Sequence, residues 1–347
     1  MAVDGVGTEV HGRAHLPAGV SEALSTTDGR GGAARDCHAE TGHESPHEGY
    51  TLMSRRRTSI VVIALMLAPT LVLLALFNYY PAVLGLSRAF TRWETGEDPQ
   101  WIGLSNFVAM WHDEFLRLSL RNLLVLLVAN VLKTLTMPLL VAELLMSLRS
   151  PRWQYVMRTA FILPMVVPGM VTMLLWSFIY DGSVGLLNQI LETLGMGAMA
   201  RSWLGDSGTA LWAIIGIGFP WAGGLALLIY LAGLNAISGD VWDSCQVDGV
   251  GGLKRVWYVD LPLLLPQVRL LVILTLIGVL QDFGSILVLT GGGPGLATHV
   301  PALHMYFQAF RFGHMGYAAA IGLTLFVAIF TLSLLNLLWG RRLEKQI

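Results

Sequence analysis

Charge is scarce in this chain. Asp, Glu, Lys and Arg together supply 13% of its 347 residues, against ~25% in ordinary soluble domains. With 54% apolar residues and a mean hydropathy of +0.61, that scarcity excludes an ordinary soluble globule and points to a membrane protein. Cysteine is nearly absent as well. Cys37 and Cys245 are too few and too far apart for a disulfide framework, and neither zinc-type nor redox-type spacing occurs. A phosphate-cradling loop is missing too, because the glycine run Gly291-Gly292-Gly293-Pro294 lacks the Gly-Lys-Ser/Thr ending and no strand precedes it. No nucleophile–base pair or metal cluster can be placed on any apolar helix face, which argues against an enzyme.

What charge there is lies unevenly. Residues 1–54 hold three Arg against eight acids, 3 − 8 = −5, so the remainder of a chain with net charge −1 carries +4. This first stretch is rich in Gly, Ser, Thr, Glu and His, and has no apolar run to bury. It is therefore expected to be a disordered polar tail. Cys37, His38, His43 and His47 invite a metal reading, but without a folded frame the ligands are not pre-organised, and no metal site is assigned. Met53-Ser54-Arg55-Arg56-Arg57 is an alternative start, a short basic leader before the first apolar run. The tail has neither the apolar stretch nor the basic leader of a signal peptide.

From residue 58 onward apolar runs of membrane-crossing length alternate with polar loops. Six are expected, at about 59–79, 121–147, 158–180, 209–235, 268–290 and 316–340, giving an all-α polytopic membrane bundle over residues 55–347. Pro69, Pro138, Pro164, Pro168 and Pro220 interrupt them, as packed membrane helices accept. With the amino terminus inside, twelve basic residues fall in cytoplasmic segments and six outside, which predicts cytoplasmic termini. Trp93, Trp101 and Trp111 in the outer loop 80–120 suit an interfacial belt. The inner loop 236–267 is too long for a simple turn and should carry a function.

That inner loop reads Asp243-Ser244-Cys245-Gln246-Val247-Asp248-Gly249, followed after a glycine break by an amphipathic piece ending at Val259-Asp260-Leu261-Pro262. It resembles the coupling motif of binding-protein-dependent ABC importer permeases, of the form Glu-Ala-Ala, three residues, Gly, nine residues, Ile, one residue, Leu-Pro. Gly249, Leu261 and Pro262 match, Asp243 and Val259 are conservative, and Ser244 and Cys245 replace the two alanines with other small residues. Further segments are similar to the maltose/glycerol-phosphate branch of carbohydrate permeases. They run in order from Tyr80-Pro81 through Ile102–Phe107, Leu163-Pro164, Gly185–Asn188, Trp203–Asp206 and Leu231–Leu234 to Asp282-Phe283, Leu289–Pro294 and Gly316–Ala320.

The resemblance implies a type I ABC importer permease fold and a non-catalytic subunit that moves a carbohydrate, such as an oligosaccharide or glycerol phosphate, into a bacterial cell. It implies four kinds of neighbour: a second homologous permease, an ATPase dimer, an extracytoplasmic sugar-binding protein and membrane lipid. No nucleic acid is among them. ATP and Mg would sit on the ATPase, and no cofactor on this chain. Asp243, Ser244, Cys245, Asp248, Gly249, Leu261 and Pro262 would form the ATPase-coupling loop. The outer mouth would be shaped by Gly291, Gly292, Gly293 and Pro294 as a tight, mobile turn.

The expected substrate pathway comprises Trp221, Gly224, Gln281, Asp282, Phe283 and Ser285. An ionisable Asp282 at membrane depth costs several kcal/mol unless it faces a cavity or a partner. It either lines the pathway or pairs with Lys133. Phe219-Pro220-Trp221 with Gly223-Gly224 is either a broken helix exposing backbone and an aromatic plane to sugar, or a kink with small-residue packing. Glu143 is expected to be solvated at the cytoplasmic interface. Two rivals remain: the same architecture with a non-sugar solute, and an ion-coupled secondary transporter, which would need inverted repeats and an ion site.

Overall fold

The computed structural model describes residues 62–343. The expected tail 1–54 and the basic triplet Arg55–Arg57 lie outside them. The chain divides at Met66 into two units, the first of which contributes only the helical turn 62–66 to the described residues.

Among the described residues, three helices are long and apolar enough to cross a membrane unbroken: α1 (Val62–Arg88), α3 (Glu114–Ser147) and α14 (Met315–Leu343, with 315–338 the apolar part). Between α1 and α3 lie a two-stranded hairpin, β1 (Thr91–Arg92) with β2 (Gln100–Trp101), and the short helix α2 (Ser105–His112). Three further apolar stretches are broken, so up to six spans are present when each bent pair counts as one. The chain bends by 94° between α4 (Pro151–Ile162, with a 3-10 turn to Val166) and α5 (Gly169–Ile179). The third to fifth expected runs are thus not single rods.

α6 (Leu186–Thr193) leads to α7 (Ala210–Gly216), and residues 217–223 are unwound before α8 (Gly224–Asn235). α9 (Gly239–Val247) and α10 (Gly252–Leu263, with a π turn inside) form the inner loop. α11 (Leu265–Gln281) stops at Asp282, and α12 (Gly284–Leu289), the loop 290–300 and α13 (Pro301–Phe310) follow. The fifth expected run therefore ends early, at the polar pair it contains.

Two more boundaries differ from expectation. The first run continues past Tyr80-Pro81 to Arg88, and the five-residue π turn Ala75–Tyr79 sits just before Pro81, a common way for a helix to take up a misfit. The second run begins at Glu114, seven residues before 121, where Asp113 caps it by accepting the Leu116 N–H at 3.1 Å.

α3 organises what surrounds it. At 34 residues it is about 50 Å long. Its later half packs Ala142 and Leu145 with Leu227, Tyr230, Leu231 and Leu234 of α8, and with Leu264 and Leu271. Its earlier half packs Leu123 and Leu126 against Leu276 and Leu280 of α11 and Ile286 of α12. α1 by contrast buries none of its apolar window, which leaves a surface suited to lipid or another membrane helix.

Several of the short sequence signatures prove to be loop fasteners. Asn106, buried, donates to the Ala89 and Thr91 carbonyls at 2.8 and 3.0 Å. Asn188, also buried, donates to the Gly182 and Arg201 carbonyls and accepts from Trp203 Nε1 at 2.8 Å, which closes the 181–206 loop. At Gly233 a Cβ would strike Leu264 and Gln267, and at Gly316 it would meet the Thr91 and Trp93 backbone.

Candidate functional site

The inner loop is a protruding knob. α9 ends in a tight turn in which Asp248 N–H donates to Ser244 O (3.0 Å), Gly249 N–H to Gln246 O (3.2 Å) and Val250 N–H to Cys245 O (2.9 Å). Gly249 sits at φ 66°, and nothing lies within 4 Å of where its Cβ would be. Glycine is required there for backbone handedness and not for space. Val247, Leu253, Trp257 and Tyr258 give the knob a crown of exposed apolar side chains, each at least 66% accessible.

Asp243, Ser244 and Asp248 are also exposed, while Cys245 is buried and Leu261 half-buried. Small side chains at 244 and 245 are therefore not both there for close packing. Only Cys245 packs, whereas Ser244 bonds the Asp240 carbonyl at 2.8 Å. Pro262 opens the last turn of α10 and is exposed.

Glu143 is not solvated. Its Oε2 accepts from Arg255 Nη2 at 3.0 Å, and Arg255 Nε donates to Asp260 Oδ2, also at 3.0 Å. The side-chain exposures are 12% for Glu143, 28% for Arg255 and zero for Asp260. The guanidinium also lies 4.4 Å from the centre of the Trp242 ring. Glu143 read alone looked like an interfacial acid; its partner stands 112 residues further along the chain.

A cavity of about 180 Å³ opens between α3, α5, α7, α11 and α12, with Asn130, Lys133, Asp282 and Ser285 as its polar lining among Leu126, Met173, Ile214, Ile217 and Val279. Lys133 Nζ donates to the Ile215 carbonyl at 2.8 Å and lies 5.8 Å from the centre of the Trp221 ring. Asp282 Oδ1 accepts the Ser285 N–H at 3.1 Å, capping α12. Among the described residues no ion pair joins Lys133 to Asp282, yet both line this space.

The other expected pathway residues are placed differently. Trp221 lies in the unwound segment, the one non-glycine residue with positive φ (58°) among those described, its Nε1 donating to Gly216 O. It lines a neighbouring apolar hollow with Trp176, Tyr180 and Phe219. A Cβ on Gly224 would meet Met165 and Ile162, so this glycine serves the approach of α8 to the 151–166 helix. Phe283 stacks on Tyr306 (centroids 5.1 Å), and Gln281 is exposed outside the cavity lining.

The glycine turn after α12 is tied down rather than loose. Thr290 and Thr298 hydroxyls are 2.7 Å apart, Thr298 also donates to Gly293 O, and Gly292 N–H donates to Thr290 Oγ1. Gly291 and Gly292 adopt φ 60° and 91°, and a Cβ on Gly292 would run into His299. Gly293 and Pro294 complete the turn.

Beside it lies a cluster with no warning in the sequence. Asp113 Oδ2 accepts from Tyr317 Oη (2.7 Å) and lies 3.0 Å from His304 Nε2, whose Nδ1 is 3.3 Å from His299 Nε2. Burial works to raise the Asp113 pKa, but hydrogen bonds from Tyr317 and the Leu116 N–H, with His304 beside it, hold the carboxyl below its ordinary value. Burial, aided by neighbouring His304 and opposed by Asp113, pushes His299 down to about 4. These contacts join the start of α3 to α13 and α14. A single acid and two scattered histidines offer no motif by which to foresee them.

Known proteins place this geometry. A permease of Bacillus subtilis, the probable ABC transporter permease YurN, is 31% identical over 278 residues, 80% of this chain and 95% of that one. The multiple sugar-binding transport system permease MsmF of Streptococcus mutans is 28% identical over 79% of this chain and 93% of its own. A bacterial alginate ABC transporter, crystallised with an alginate pentasaccharide-bound periplasmic protein, shares the fold at a TM-score of 0.73 and 23% identity, covering 84% and 98% of the two chains. Residues 134–345, which include α8 to α11 with the knob and the lining of the polar cavity apart from Leu126, Asn130 and Lys133, match the family model for the inner membrane component of binding-protein-dependent transport systems, and the chain belongs to that family.

Proposed function

We propose that this chain is the membrane-spanning permease subunit of an ATP-binding-cassette importer that carries a carbohydrate into the cytoplasm. Hydrolysis belongs to a separate ATPase dimer, which holds ATP and Mg, so energy arrives mechanically. The observation that carries this reading is the knob: two helices between bent segments, closed by Gly249 and crowned by Val247, Leu253, Trp257 and Tyr258. A group of exposed apolar side chains at a loop tip marks a surface for a partner.

Closure of the ATPase dimer moves the knob, and the attached helices rotate about the cavity from an inward-open to an outward-open arrangement. A binding protein outside the membrane delivers the sugar, and a second, homologous permease supplies the other wall of the path. Asn130, Lys133, Asp282 and Ser285 offer both donors and acceptors to sugar hydroxyls. The helix breaks at 217–223 and 282–283 flank the cavity, as broken helices do at substrate sites of other transporters. In this reading both termini and the knob face the cytoplasm, across a bacterial inner membrane. Relatives such as the multiple sugar-binding permease of Streptococcus mutans favour sugar over other solutes.

Gly249→Asp tests the docking. Open space around the site lets the chain fold, and Asp tolerates positive φ better than most residues, but a new carboxylate then stands on the crown beside Asp248. Membrane insertion is expected to be normal, with sugar uptake and substrate-stimulated ATP hydrolysis lost. Normal stimulation of ATP hydrolysis in that variant would remove the docking role.

A further inference from the structure

A knob that is pushed from below must pass its movement to the cavity, and the structure offers a specific path. The knob's Arg255 grips Glu143 near the end of α3, and the same guanidinium is fixed on its other edge by the fully buried Asp260 and on its face by Trp242. Ten residues earlier on α3, about 15 Å along its axis, Lys133 holds the Ile215 carbonyl at the edge of the unwound segment and lines the cavity with Asp282. Between the two, α3 runs through Pro138 without interruption, with that proline buried. One continuous helix therefore has a charged contact to the knob near one end and a charged contact to the broken helix in its middle.

The cluster also carries more than packing requires. Two carboxyl groups share one guanidinium, and among the described residues no N–H donor reaches the buried Glu143 Oε1 and Asp260 Oδ1. Burying ions in this way adds little stability compared with apolar residues of the same volume. What such an arrangement does provide is a contact of fixed geometry between elements that must move together.

We propose that Arg255 is a positioning residue for transport: through Glu143 it makes α3 follow the knob, so that displacement of the knob reaches Lys133 and the segment 217–223 at the cavity. This rests on the transport function proposed above. Disconnecting the two is expected to leave ATP consumption running while cargo stops.

The test uses the full complex, with sister permease, ATPase and binding protein, in proteoliposomes, measuring cargo imported and ATP hydrolysed together. Glu143→Gln removes the charge from α3 without touching the knob. Assembly and ATP hydrolysis should persist, and ATP spent per cargo imported should rise about tenfold, in the range of ordinary coupling energies. A merely structural defect would lower assembly, hydrolysis and uptake together and leave that ratio unchanged.

Glu143→Asp, which restores a carboxylate on α3 and leaves Arg255 with Asp260 and Trp242, should keep the ratio within about threefold of the parent complex. Should Glu143→Gln not assemble, Arg255→Lys keeps the charge, loses the two-edged contact and should raise the same ratio. An unchanged ratio in Glu143→Gln and Arg255→Lys, or a ratio raised as much by Glu143→Asp as by Glu143→Gln, overturns the proposal. Absence of ATP-dependent uptake in the parent complex would instead overturn the transport reading on which it rests.

Discussion

Asp282 has two jobs that a pair of substitutions separates. Its Oδ1 caps α12 through the Ser285 N–H, and its charge faces the cavity. Asp282→Asn retains an oxygen for the cap and loses the charge. Uptake should fall by about tenfold or more, as for the loss of one charged hydrogen bond, ~1.5–3 kcal/mol, with ATPase assembly intact. Asp282→Ala should add a folding defect. Equal uptake rates in Asn and parent protein would assign the residue to capping alone.

His299 predicts a pH dependence. It faces His304, with Asp113, Gln308 and Tyr317 behind that ring. Folded, it titrates at about 4; unfolded, at ~6.5. Between those values the unfolded chain binds the extra proton, so the stability contributed by neutral His299 is complete above pH 6.5 and declines as pH falls toward 4. The decline amounts to about 3 kcal/mol by the bottom of that range. Asp113, whose pKa is lowered, adds its own loss at still lower pH, below the ordinary carboxylate value. Thermal unfolding followed from pH 7 to 4.5 should show the slope, and His299→Gln should flatten most of it. An equal slope in the variant would place the titration elsewhere.

At the scale of elements, sequence reading found the apolar runs, because run length against membrane thickness is a strong signal. It also offered a break at Phe219-Pro220-Trp221 as one of two readings, and found the glycine break and amphipathic piece of the inner loop. It missed where the runs stop. Glu114 and Arg117 hid the first two turns of α3, since a helix that extends past the apolar layer no longer reads as apolar. Asp282 ended α11 although the apolar pattern runs through it to Leu289, because a short polar side chain takes the capping bond instead. α13 was invisible among the glycines of 291–313, although Pro301 is a favoured first residue of a helix.

Ion pairs such as Glu143–Arg255 were unreadable for a different reason, being set by chain segments far apart in sequence. The small residues follow the same division: Gly316 looked like a family signature, but its cause is the Thr91 and Trp93 backbone lying against it. Gly316→Ala should therefore cost about 1–3 kcal/mol or more, because backbone cannot move aside as a flexible side chain can. The loss should appear as lower yield of folded protein on size-exclusion chromatography. Yield and melting temperature equal to the parent's would show that the hairpin can give way.

At the scale of the whole molecule, the low charge content that first marked the chain as a membrane protein concentrates meaning in the few charges that remain. Arg255 with Glu143 and Asp260 lies at the knob, Lys133 and Asp282 at the cavity, and Asp113 with its histidines at the opposite end of α3. This helix links all three, which is the arrangement expected of a subunit worked from one side by a separate motor. The central claim is that the motor is ATP hydrolysis by a partner subunit and not an ion gradient. Uptake of labelled sugar into proteoliposomes, with and without the ATPase and with an ionophore present, decides it. Uptake that requires ATP and the ATPase and is indifferent to the ionophore is the predicted result. Uptake that persists without the ATPase and collapses with the ionophore would contradict the account.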